Sequence, residues 1–324
     1  MPWYDVTPAE LSLVEPIAVE PDDLDAWWAG QLANARAAAR PAGLTPYERS
    51  TYGPVLVDDV TFSGHGGDPV RGWFIRPDVG HDLPLAVTYV GYGGGRGVPV
   101  DHLALPATGL AVLVMDTRGQ GGSWTTGATG DPGAASGGAQ YPGVMTRGIS
   151  DPETYYVTRL ITDAVRAVET AAELPGVDPT RIAVTGVSQG GGLALAAAAL
   201  APGLVRLCHS DVPFLCDFPR ALTTSDSMPY AEIVGFLAQH VDLVDAALRT
   251  LTYVDCALLA RRIRAQTLVS VGMMDQTCPP STVLAAYNGI QAPKTLAVHP
   301  FTGHVVPPPH RERQFALLHQ GLAR

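Results

Sequence analysis

The stretch that most constrains this chain is Gly186-Val187-Ser188-Gln189-Gly190, set between an apolar run at 182–185 and a run of small apolar residues at 191–200. An apolar run that meets glycine and gives way to small helix-forming residues reads as a strand, a tight turn and a helix. A serine between glycines in that setting is forced onto a strained turn. Its hydroxyl stands above the sheet, and the N–H of the next residue opens a helix. The chain holds 35 glycines, so the string alone decides little. With its flanks, it makes Ser188 a candidate nucleophile.

A chain of 324 residues can bury one large α/β core or two smaller ones, and a single domain is the simpler reading. Charged residues make up only 16% of the chain and the net charge is −10. That balance repels nucleic acid and anionic membrane surfaces and suits a small uncharged or neutral-sugar ligand. The start, Met1-Pro2-Trp3-Tyr4-Asp5-Val6, has neither a basic head nor an apolar core, and no apolar stretch is long enough to span a bilayer. The expectation is a soluble cytoplasmic protein. Cys208, Cys216, Cys256 and Cys278 show neither a Cys-x-x-Cys pair nor zinc-like spacing, which points to buried reduced thiols.

Along the chain, an amphipathic helix is expected at 22–40, within an N-terminal helical extension over 1–45. Strand-like runs follow at 60–62, 72–75, 85–90, 111–115, 182–185, 204–208, 267–271 and 295–298. Several are continuously apolar, and helical segments such as 153–174 and 282–287 lie between them. That pattern predicts a mostly parallel sheet covered on both faces, the α/β-hydrolase layout. Two stretches interrupt the alternation. A Gly-, Ser- and Pro-rich passage fills 117–151, too long for an ordinary connection, and a helical cap insertion is expected over 219–263.

A serine hydroxyl needs a base to take its proton and an acid to orient that base. In this layout both follow the serine, acid before histidine. Asp275 fits the acid: it comes just after the strand at 267–271 and before the Cys278-Pro279-Pro280 turn. Asp211, at the end of the preceding strand, is the competitor. Among nine histidines, His304 in Pro300-Phe301-Thr302-Gly303-His304 fits the base, on a loop after the last strand, while nearby His299 and His310 read as ordinary residues of a strand and of a polar helix start. The oxyanion hole calls for two backbone N–H groups. Gln189 follows the nucleophile, and Tyr92 lies in the loop Gly91-Tyr92-Gly93-Gly94-Gly95 after an earlier strand. That loop lacks the Gly-Lys-Ser/Thr ending of a phosphate-binding loop.

With these residues in place, the chain resembles the acetyl xylan esterases and cephalosporin C deacetylases, carbohydrate esterase family seven. The likeness runs through Asp116-Thr117-Arg118-Gly119-Gln120-Gly121, Tyr141-Pro142-Gly143-Val144-Met145-Thr146-Arg147-Gly148-Ile149, the serine turn, Asp211-Val212-Pro213-Phe214-Leu215-Cys216 and Met274-Asp275-Gln276-Thr277-Cys278-Pro279-Pro280. It implies a triad of Ser188, Asp275 and His304, oxyanion donors Tyr92 and Gln189, and a small acyl pocket walled by Tyr92, Trp124 and Pro229. It also implies deacetylation of sugars and cephalosporin-type esters with no metal or other cofactor, in a ring-shaped homohexamer that favours short oligosaccharides over intact xylan. One departure stands out. The family's His-Glu pair reads His304-Val305 here, so support for the histidine loop, and its link to the Arg118-Gly119-Gln120 turn, is expected to change while catalysis survives. Two other readings fit the same residues: a hydrolase of peptides, lactones or thioesters on the same fold, and a non-catalytic binding relative.

Overall fold

The computed structural model describes residues 3, 5–48, 52–78, 80–132 and 143–322. Part of the long 117–151 passage, with Tyr141 and Pro142 of the family-like string, lies outside the described residues. The chain contributes strands β1 (Gly43–Pro46), β2 (Val55–Ser63), β3 (Pro69–Pro77), β4 (Leu83–Tyr89), β5 (Ala111–Met115), β6 (Val177–Val187), β7 (Val205–Asp211), β8 (Gln266–Gly272) and β9 (Lys294–His299). They form one sheet in the order β1-β2-β3-β5-β4-β6-β7-β8-β9. β1, β2, β3 and β5 pair antiparallel in turn, and every ladder from β5 across to β9 is parallel.

The expected mostly parallel sheet is present, and each expected strand falls on an observed one. The ninth, β1, was not read from the sequence. Its four residues, Gly-Leu-Thr-Pro, are all exposed and pair only with β2 at the sheet edge, so they carry no burial periodicity, and Pro46 is tolerated there because an edge strand can lack a donor.

The continuously apolar strands have a simple cause. Leu85, Val87, Ile182, Val184 and Cys208 face one side of the sheet, and Ala86, Ala183 and Leu207 face the other. The first face is covered by helices α2 (Tyr156–Glu173) and α3 (Gln189–Leu200), which follow α1 (Leu24–Ala37) in the chain. Between β7 and β8 the chain is mainly helical, with α4 (Phe218–Thr224), α5 (Tyr230–Leu237), α6 (Val244–Val254) and α7 (Cys256–Leu259). α8 (Pro280–Gly289) follows β8, and α9 (Pro308–Leu322) closes the chain and covers the second face through Leu318 and Leu322. Burying strands on both faces leaves no reason for polar alternation.

The N-terminal extension is only partly helical, contrary to the expectation for 1–45. Residues before α1 run largely as an irregular strap held by hydrogen bonds to the body. Asn288 donates to the carbonyls of Leu11 and Val14 at 2.9 and 2.8 Å, and Asp5 accepts the Ser281 N–H at 2.5 Å. Proline at positions 8, 16 and 21 explains why the strap does not wind into a continuous helix. The four cysteines are free and buried. No helix among the described residues is long and apolar enough to cross a membrane.

Under the sheet, His209 of β7 is buried and its Nδ1 has no partner among the described residues. Burial pushes its pKa down to about 4, while the unfolded chain titrates near the ordinary value of 6.5. Between those values the unfolded chain takes up a proton that the folded chain refuses. Stability contributed by the neutral ring is therefore present above pH 6.5 and lost as pH falls through 4, with a slope of up to about 1.4 kcal/mol per pH unit. Urea unfolding across that window should show a shallower slope for His209→Gln than for the parent chain; identical slopes would refute this origin.

Candidate active site

β6 ends at Val187 and α3 begins at Gln189, leaving Ser188 to make the whole reversal. It does so at φ 59° and ψ −118°, a conformation that costs a non-glycine residue roughly 1–3 kcal/mol. The surrounding backbone holds it there. The Ser188 N–H donates to the Asp211 carbonyl at 2.9 Å, and the Ser188 carbonyl accepts from Gly192 and Phe214 at 3.0 and 2.9 Å. The flanking glycines are required by space: a Cβ on Gly186 would lie 2.3 Å from the Gly190 backbone, and one on Gly190 would lie 2.3 Å from the Tyr89 carbonyl oxygen.

Asp275 follows β8 in a tight turn and is fully buried. Its Oδ1 accepts the N–H groups of Thr277 and Cys278 at 2.8 and 2.9 Å, which fixes the carboxylate plane. Its Oδ2 meets His304 Nδ1 at 2.7 Å. With Nδ1 taken up, Nε2 is the nitrogen left to act as a base. His304 sits on the loop 300–307, pinned to the Asp275 turn because Met274 N–H donates to the Thr302 carbonyl at 2.9 Å and Met273 N–H to the His299 carbonyl at 3.1 Å.

The competing residues go elsewhere. Asp211 takes His310 Nε2 at 2.9 Å rather than His304, and the Nε2 of His299 is buried without a partner among the described residues. Val305, at 55% exposure, turns its side chain to solvent. Arg118, whose turn was expected to lose its usual link to the histidine loop, is buried among Asp163, Asp68 and Asp131. Burial alone would lower its pKa, but these carboxylates raise it, so it remains a fixed cation.

The sheet register explains why Tyr92 lies beside the serine. β4 and β6 are parallel neighbours with Tyr89 opposite Gly186, so the loops that leave both strands emerge together. Among the described residues, no acceptor takes the backbone N–H of Tyr92 or Gln189. Trp124 joins this group: its Nε1 donates to the Tyr92 carbonyl at 2.8 Å, and its ring covers Gly91 and Gly94 although the residue is 60% exposed. Pro229, at the start of α5, is joined to Tyr92 through its neighbours. Tyr230 packs on Phe214 at 4.4 Å between ring centres, and Phe214 on Tyr92 at 6.5 Å.

Two residues of the site were not singled out from the sequence. Gln120 accepts the Gly93 N–H at 2.6 Å and donates to Gln189 Oε1 and to the Tyr156 hydroxyl, both at 2.9 Å. The amide of Gln189 donates in turn to the Val90 carbonyl at 3.2 Å. One side chain thus locks the Tyr92 loop to the first turn of α3. Glu232 of α5 is the second: its carboxylate takes the Tyr92 hydroxyl and the Met145 N–H, the latter at 3.1 Å, while Val144 N–H donates to the Tyr92 oxygen at 3.0 Å. Burial raises the pKa of Glu232 above the usual carboxylate range. Gln120 had one sequence signal, its place in the family-like Arg118-Gly119-Gln120 string; Glu232 had none.

A strained serine at a strand-to-helix turn, a buried aspartate on a loop histidine, and open N–H groups on two adjacent loops define an α/β-hydrolase-fold carboxylic-ester hydrolase. Comparison with known proteins narrows the class. The acetyl xylan esterase (AXE1) family signature matches residues 1–321, and the chain belongs to that family. It superposes with a TM-score of 0.90 on the acetyl xylan esterase from Paenibacillus sp. R4, at 35% identity over 97% of this chain and 99% of that one. Acetyl xylan esterase 1 from Thermoanaerobacterium sp. JW/SL YS485 gives the same TM-score at 30% identity over 99% of this chain and 100% of the other. The acetyl esterase Axe7A of Xylanibacter ruminicola is 26% identical over 300 residues, 90% of this chain, and the match spans 65% of that relative's length.

Replacing Gln120 by Leu frees the Gly93 N–H and the Gln189 amide together. Loss of oxyanion alignment should lower kcat on 4-nitrophenyl acetate by about 10²-fold with little change in KM. An unchanged kcat would show that the lock is dispensable.

Proposed function

We propose that the chain is a serine esterase that removes O-acetyl groups from short acetylated oligosaccharides, xylo-oligosaccharides among them, and from cephalosporin C-type acetyl esters. The observation that carries this reading is the 2.7 Å contact between buried Asp275 and His304, in a chain that also holds Ser188 in a strained strand-to-helix turn. In the proposed sequence His304 Nε2 takes the Ser188 proton as Oγ attacks the acetyl carbonyl, and the N–H groups of Tyr92 and Gln189 receive the developing oxyanion. Collapse passes that proton from His304 to the departing alcohol and leaves acetyl-Ser188. A water deprotonated by His304 then attacks the acetyl carbon, Ser188 recovers its proton, and acetate leaves. Asp275 keeps the imidazole in one tautomer throughout.

Acetyl selectivity rests on Tyr92, Trp124 and Pro229 as walls of the acyl side. Trp124 is hydrogen-bonded to the Tyr92 backbone and Tyr92 is held by Glu232, so neither wall is free to yield to a longer chain. The low charge content and the exposed apolar residues next to the site, Val187 and Val305, suit a neutral substrate. The family likeness extends the proposal to a homohexamer, to be checked by light scattering.

Turnover of 4-nitrophenyl esters should fall by about 10²-fold or more from acetyl to butyryl, because overfilling a close-packed pocket displaces the carbonyl from the oxyanion donors. Equal turnover of the longer ester would refute the small-pocket assignment. Ser188→Ala should keep the circular dichroism of the parent, lose about 10⁴-fold or more in kcat and resist labelling by a fluorophosphonate. Labelling of that variant would place the nucleophile elsewhere.

A further inference from the structure

Asp211 was a candidate for the catalytic acid, and the structure gives it a different set of partners. It is the last residue of β7, is 2% exposed, and makes contacts in two directions. Its carbonyl accepts the Ser188 N–H at 2.9 Å and so helps hold the nucleophile in its strained conformation. Its carboxylate accepts three hydrogen bonds: Ser270 Oγ at 2.7 Å from β8, His310 Nε2 at 2.9 Å and Gln314 Nε2 at 2.7 Å. His310 and Gln314 stand four residues apart on one face of α9, and both are buried.

α9 starts only four residues beyond His304. The loop that carries the base therefore has two anchors. Upstream, its backbone is bonded to Met273 and Met274. Downstream, it runs through Pro307, whose carbonyl accepts the N–H groups of His310 and Arg311 at 3.0 and 3.2 Å, into the helix turn that carries His310. The residue beside the base, Val305, has an apolar, exposed side chain, and its only polar contact among the described residues is its own N–H to the Gly303 carbonyl at 2.9 Å. We propose that the Asp211–His310–Gln314 cluster is the positioning device for the base loop, tying His304 to the same residue that holds Ser188. The inference rests on the deacetylase reading above. None of the three side chains touches the reacting atoms. They act by fixing how far the imidazole stands from the serine, a separation to which proton transfer is steeply sensitive.

The test compares variants by kcat per active site, with sites counted by fluorophosphonate titration so that misfolded protein does not enter. His310→Leu removes the donor to Asp211 and should lower kcat on 4-nitrophenyl acetate by about 10²-fold, with KM within about threefold of the parent. His310→Gln returns an N–H to Asp211 and should recover most of that loss. Gln314→Leu, a milder change that serves if His310→Leu does not fold, should cost about tenfold in kcat. Leu318→Ala, on the same helix but packed on the sheet away from Asp211, should lower the melting temperature and leave kcat per site unchanged. Parent-like kcat per site in His310→Leu or Gln314→Leu would overturn the proposal, as would a loss in Leu318→Ala equal to theirs. An inactive, unlabelled parent chain overturns the deacetylase reading and this one together; an active parent with unaffected variants overturns this one alone.

Discussion

Ser188 holds a backbone conformation that serine does not adopt by preference, and the fold supplies what keeps it there. The turn needs glycine on both sides, because Gly186 and Gly190 approach each other and the Tyr89 carbonyl too closely for any side chain. It needs the end of β7 beside it, because the Ser188 N–H has the Asp211 carbonyl as its partner. It also needs α3 directly after it, because the Ser188 carbonyl accepts the Gly192 N–H in the first turn of that helix. Sheet order meets these conditions together: β6 lies between β4 and β7, which places the Tyr92 loop on one side of the serine and Asp211 on the other.

The polar residues around this point show how few groups are left to chance in a buried site. Asp275, Asp211 and Glu232 are all buried carboxylates, and each accepts more than one hydrogen bond, as burial of such a group requires. Each also faces a different part of the site: Asp275 the imidazole of His304, Asp211 the backbone of Ser188 and helix α9, Glu232 the phenol of Tyr92. Arg118 meets the opposite need for a buried cation and draws the 116–121 turn against Asp163 of α2, bringing Gln120 to the loop that carries Tyr92 and Gly93.

Much of this was legible in the sequence where local order carries the information. The Ser188 turn is a contiguous string, and Asp275 and His304 follow the ends of strand-like runs in the order this fold uses; β8, before Asp275, is buried on both faces, so its composition announces it. β1 was missed because an exposed edge strand has no burial pattern to announce. The pairings of Gln120 with Gln189, Glu232 with Tyr92 and His310 with Asp211 were not legible for another reason: they span 69, 140 and 99 residues, and no spacing rule links positions so distant. His310 in sequence reads as an ordinary histidine in a polar helix start. It gains meaning only because α9 packs back across β7.

The account depends most on Asp275 being the residue that holds His304 ready for Ser188. Asp275→Asn preserves size and the bonds to Thr277 and Cys278 while removing the charge that fixes the tautomer. Its kcat on 4-nitrophenyl acetate, set beside that of Asp211→Asn, is the most direct measurement. The account predicts a fall of about 10⁴-fold for Asp275→Asn and a clearly smaller one for Asp211→Asn. Parent-like turnover in Asp275→Asn, or the larger loss in Asp211→Asn, would contradict it.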